Sequence, residues 1–64
     1  MVTVNEIPMA VSRAEFLVWN GIDYVRVEDL VFIAEAEIVA ERCGLRYEAI
    51  YLRDVAMKLR CSTL

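Results

Sequence analysis

Arg46, Ile50, Arg53, Met57 and Arg60 recur at spacings of four, three, four and three. On a helix these positions share one face, a basic seam with two apolar teeth. Guanidinium groups bind carboxylates or phosphates through two parallel hydrogen bonds. Arg set beside exposed apolar groups is a composition of protein-interface hot spots, and Met adapts to varied partner shapes. The plainer reading is a solvated face, against which Ile50 and Met57 stand. Tyr47 and Tyr51, one turn apart, could stack on bases or anchor a protein contact; either can equally be core, and Tyr51 falls on the core side.

Catalytic chemistry has little to stand on. The chain has no His. It also has no Gly-rich phosphate loop, no Ser or Cys with a base near it, and no cluster with metal-ligand spacing. Cys43 and Cys61 alone cannot supply a four-ligand zinc site. No metal, no cofactor and no enzymatic activity are therefore expected. With no secretory pattern at Met1 and no Cys-rich framework, the two cysteines read as reduced thiols in a cytoplasmic protein, a disulfide between them being the alternative.

Charge is divided along the chain. Residues 42–64 hold five basic and two acidic groups, whereas residues 1–41 hold two basic and eight acidic, for a net charge of −3. This division points to a docking surface. The 64 residues make one domain, and 59% of them are hydrophobic. A domain of this size buries only about 60% of its unfolded surface. The surplus apolar surface implies self-association or a protein partner. The longest apolar run, Leu30 to Ala34, falls far short of the ~20 residues of a membrane span.

The seam lies in the last of four expected elements. Residues 1–13 alternate weakly, break at Pro8, and are expected to form an extended arm. Ser12 to Glu15 has the spacing of a capping box, but the period-two pattern that follows argues against one. Asn20-Gly21 between two β-rich runs predicts a type I′ hairpin with strands 14–19 and 22–27, in which Glu15 faces Arg26 as an ion pair. Glu28 and Asp29 open a helix that runs to about Cys43 and stops at Gly44. Phe32, Ile33, Ala36, Val39, Ala40 and Cys43 form its core face. Leu30, Val31, Ala34 and Ile38 form a second apolar stripe, flanked by Glu35, Glu37 and Glu41 as a solvated run. A second helix, about 46–60, buries Tyr51, Leu52, Val55, Ala56 and Leu59.

Around the turn, Val39-Ala40-Glu41-Arg42-Cys43-Gly44-Leu45 resembles the first helix and turn of the DNA-binding domain of LuxR-type quorum-sensing regulators, and more distantly the last domain of sigma factors. Leu52-Arg53-Asp54-Val55-Ala56-Met57-Lys58-Leu59 resembles the end of their recognition helix. The likeness covers about 25 residues. The segment between is about two residues short, a rotation of about 200° for the second helix. Arg53 also stands where the motif has a buried apolar residue. The alternative is an ordinary helical hairpin capped at Gly44.

The expected fold is thus α+β: an arm (1–13), then a single domain (14–64) of one antiparallel β-hairpin and two antiparallel, helix-turn-helix-like helices. Trp19, Ile22, Tyr24, Val31 and Ile38 are the candidate self-association surface of a homodimer. Arg46, Tyr47, Ile50, Arg53, Met57 and Arg60 are the candidate partner-binding residues. In size and character the chain resembles small accessory proteins of temperate bacteriophages, such as anti-activators of quorum sensing and anti-CRISPR inhibitors. That resemblance implies an inhibitor, working in the host cytoplasm, that occludes a host protein; the LuxR-like segment makes a transcription regulator a candidate target. The alternative is a dimeric DNA-binding repressor with its second helix in the major groove, which the acidic N-terminal half disfavours. A third reading is a subunit whose partner completes its core.

Overall fold

Thr3 and Glu6 open the chain as a capping pair. The Glu6 carboxylate accepts from the Thr3 backbone N–H at 2.9 Å and from its hydroxyl at 3.2 Å, as in the Thr-x-x-Glu capping signature. A 3₁₀ turn, Val4–Glu6, leads into α1, Ile7–Asn20, with Pro8 in its first turn. There the missing N–H of proline is harmless and its fixed φ is already helical. In this computed structural model, which describes residues 2–21 and 25–63, α2 spans Val27–Arg42 and α3 spans Arg46–Thr63.

The architecture is a three-helix bundle, and the described residues contain no strand. The α+β expectation is therefore corrected. Residues 7–20, read as the end of an arm and a first strand, are helical. Asn20-Gly21 is a helix stop in place of a hairpin turn: the Asn20 side-chain amide donates to the Phe16 carbonyl at 2.8 Å, and the Gly21 N–H donates to Leu17. Gly21 has φ 83° and ψ 177°, a region essentially reserved for glycine. Asn-Gly favours positive φ, and helix ends and tight hairpins both use it. The expected strand 22–27 lies partly outside the described residues, and its last residue, Val27, begins α2. Arg26 pairs with Asp29 and Glu28 instead of Glu15.

The buried residues of α1, namely Ile7, Ala10, Ala14 and Leu17, follow spacings of three, four and three. Phe16 and Val18, which fall in the expected first strand, are exposed. In α2 the buried face is Ile33, Ala36 and Ala40, with Phe32 and Val39 half-buried and Cys43 exposed. In α3 it is Ala49, Leu52, Val55, Ala56 and Leu59. These faces meet in one core centred on Ile33, Leu52 and Val55, with a smaller cluster of Ile7, Ala40 and Ala49 beside the α2–α3 turn. Ala10, Ala14, Ala36, Ala40, Ala49 and Ala56 are all buried; small side chains at the crossings let helices approach closely.

The α2–α3 turn is a Schellman stop. The Leu45 N–H donates to Ala40 at 2.9 Å and the Gly44 N–H to Glu41 at 3.2 Å, with Gly44 at φ 77°. Leu45 packs back against Ala40, the apolar contact that accompanies this motif. After it α3 runs antiparallel to α2. Glu41 shares a hollow with Arg46, and Leu30 shares one with Arg60 at the far end. Helices in contact over that length form a helical hairpin, without the steep crossing of about 90–120° found in a helix-turn-helix.

Candidate functional site

The α2–α3 hairpin carries a groove on its outer side. Two hollows of about 200 and 540 Å³ adjoin along it. Glu37 and Glu41 form the α2 wall of both, facing Arg46, Ile50 and Arg53 in the first and Arg53, Met57 and Arg60 in the second. A third hollow of about 220 Å³ continues the line past Arg60 to Val31, Ala34 and Ile38. The walls follow from helical periodicity: the spacings of four and three that bury Leu52, Val55 and Leu59 leave 46, 50, 53, 57 and 60 outward.

Exposed apolar side chains stand among the charges. Ile50 is 66% exposed, Met57 57% and Ile38 49%. The walls are charged and unmatched: among the described residues none of Glu37, Glu41, Arg46 and Arg53 makes an ion pair. An acidic wall thus faces a basic one without being neutralised by it. Chemically the groove can seat a segment with an apolar ridge between charges of both signs.

Five of the six expected partner-binding residues (Arg46, Ile50, Arg53, Met57 and Arg60) line this groove. Tyr47 is 88% exposed at the head of α3, one position off the seam. Val31 and Ile38, assigned to self-association, lie in the third hollow, so the two sets converge on one surface. Trp19 stands apart at the end of α1, 86% exposed. Ile22 and Tyr24 lie outside the described residues. Glu37 and Glu41, taken from the sequence as a solvated run, are the groove's second wall. Their spacing of four beside the Ile38 stripe was the available signal.

A second polar feature, away from the groove, was missed. Asp29 is 5% exposed and accepts hydrogen bonds from Arg13, the Arg26 backbone and the Arg26 side chain. The Arg13 guanidinium, with help from Arg26, holds its carboxyl at about 2, below the ordinary 3.8. The same bond raises the pKa of Arg13, whose guanidinium also lies 4.8 Å from the centre of the Phe16 ring. Burial, together with the nearby Glu15 carboxylate, raises the pKa of the half-buried Tyr51 hydroxyl.

Cys43 and Cys61 are exposed and unpaired. Cys61 lies 15 residues into α3, about 22 Å along the helix axis, so the two thiols sit at opposite ends of the hairpin. Among the described residues no group of three or more His, Cys, Asp or Glu side chains could hold a metal ion. No described helix is long and apolar enough to cross a membrane. No protein-family profile matches the chain, and no curated protein or solved structure is detectably similar to it.

Proposed function

We propose that this chain is a non-enzymatic binding protein that acts by covering a functional surface of another protein, with the α2–α3 groove as its grip. The observation that carries the reading is the exposure of Ile50 and Met57 within the Arg wall, opposite a Glu wall, with exposed Ile38 in the adjoining hollow. Apolar groups in a charged rim are the anatomy of a protein interface, where desolvation of the centre gives affinity and the rim sets orientation. Glu37 and Glu41 opposite Arg46 and Arg53 on a solvent-open wall offer no acid–base couple, since guanidinium keeps its proton throughout the neutral range.

The same walls weigh against duplex DNA. Glu37 and Glu41 line the hollows that hold Arg53, and a phosphate brought to Arg53 would meet two carboxylates. Occlusion of a host transcription regulator, which the LuxR-like segment suggests, is the form of this function we favour.

The test is capture of binding proteins from a bacterial lysate by the wild-type chain and by an Arg53→Glu/Met57→Glu variant, each with and without nuclease. Loss of a nuclease-resistant partner in the variant, with helical circular dichroism unchanged, is the expected result. Equal capture by both proteins would overturn the assignment of the groove.

A further inference from the structure

Resting on the reading of the groove as a protein-docking surface, we infer that in the free protein its occupant is a second copy of this chain, which a target protein must displace. The two copies are related by a two-fold axis parallel to the α2–α3 pair, so that α2 of each lies on α3 of the other. Charge complementarity selects both the partner and the axis. The groove has an acidic wall on α2 and a basic wall on α3. Two copies can pack these faces together about an axis along the helices or about one across them. The crosswise axis stacks α2 on α2 and α3 on α3, setting Glu against Glu and Arg against Arg. The lengthwise axis sets each acidic wall on a basic one.

The level of each residue supports the same axis. A rotation about an axis along the helices leaves heights unchanged. Glu37 and Glu41 stand level with Arg46 and Arg53 within one chain. They therefore meet the Arg46 and Arg53 of the second copy without any sliding. Met57 and Ile38 fall toward the same end of the groove, so Met57 of each copy comes opposite Ile38 of the other. An isologous contact of this kind closes on itself and leaves no free face to propagate.

The whole larger face, covered on both copies, comes to the lower edge of the range of specific interfaces. The molecule measures 31 by 18 by 16 Å between Cα extremes. Its larger face projects about 560 Å², so two copies cover about 1,100 Å² before side-chain relief is counted, near the ~1,200 Å² at which specific interfaces begin. The result is a four-helix layer with like helices on the diagonals and α1 of each copy outside it.

Two variants test the arrangement: Glu37→Lys/Glu41→Lys and Arg46→Glu/Arg53→Glu. Sedimentation equilibrium should find the wild type dimeric, each variant at least tenfold weaker in self-association, and an equimolar mixture of the two restored to a 1:1 dimer. Restoration shows that the charged walls of the two copies are in contact; the direction of the axis is read from the cross-links. As a second measurement on the unaltered chain, a bismaleimide shorter than the ~22 Å between Cys43 and Cys61 should link Cys43 to Cys43 and Cys61 to Cys61. Links between Cys43 and Cys61 would overturn the lengthwise axis. A wild type that stays monomeric at several hundred micromolar, or a dimer indifferent to all four substitutions, would overturn the second copy as occupant. The docking reading would then stand or fall separately, on the lysate capture.

Discussion

Arg13 on α1 grips Asp29 at the head of α2 with two parallel hydrogen bonds, Nε to Oδ1 at 3.0 Å and Nη2 to Oδ2 at 3.1 Å. Asp29 is the third residue of α2, and it also accepts from the Arg26 N–H at 3.2 Å. One buried carboxylate thus caps α2 and ties α1 to it. Replacement by Asn keeps the shape and removes the charge. Asp29→Asn should cost about 2 kcal/mol, the loss expected when a charge-assisted pair is broken at a largely buried site. Urea denaturation followed by circular dichroism measures it.

The same carboxylate sets an acid limb of stability. Its folded pKa, about 2, lies below the ordinary 3.8. A depressed carboxylate stabilises the fold fully above its unfolded pKa and loses that contribution as pH falls through its folded one. Between pH 4 and pH 2 the wild type should lose about 1–2 kcal/mol, allowing for the solvent that reaches the site past the exposed Arg26. Asp29→Asn should lack this component, so the two stability curves should converge toward pH 2. Parallel curves would show that Asp29 is not its source.

The two helix-ending glycines differ in strain. A Cβ at either would meet no atom within 4 Å, so the cost of substitution is a backbone cost. Gly44→Ala places a side chain at φ 77° in a Schellman stop and should destabilise by about 1 kcal/mol. Gly21→Ala has in addition a ψ of 177° and should cost more, about 1–3 kcal/mol. Comparing the two melting temperatures checks the order.

Seam and core on α3 should separate cleanly in mutagenesis. Ile50→Gln and Met57→Gln alter exposed side chains and should shift stability by less than about 0.5 kcal/mol while weakening association. Leu52→Ala, at a position with no exposure, should cost about 2–5 kcal/mol. Destabilisation by Ile50→Gln comparable to that of Leu52→Ala would place the seam in the fold instead of on a docking surface.

Ala14 is fully buried where α1 meets the core. Ala14→Leu adds three carbons to a site shaped by small side chains and should cost about 1–3 kcal/mol through overpacking. A gain in stability would mean that the helices stand farther apart than described.

Local periodicity is enough to specify the α2–α3 hairpin and its outer face. From Val27 to Thr63 the apolar spacing of three and four runs long enough to exclude a strand, acidic residues mark the start of α2, and Gly44 marks its end. The Arg, Ile and Met seam follows from that periodicity alone. The other features depend on packing between helices. In α1 the core positions include Ala10 and Ala14, whose burial registers weakly in any apolar pattern, while the strongly apolar Phe16, Val18 and Trp19 stand exposed. Read locally, Ala14 to Trp19 alternates like a strand and Asn20-Gly21 reads like its turn. Only packing against Ile33, Ala36 and Leu52 selects the helical face. Likewise Glu37 and Glu41 become a wall only once α3 lies beside α2, and Asp29 finds Arg13 sixteen residues away only once α1 folds across. Contacts between elements depend on how faces meet in space, and no local period carries that information.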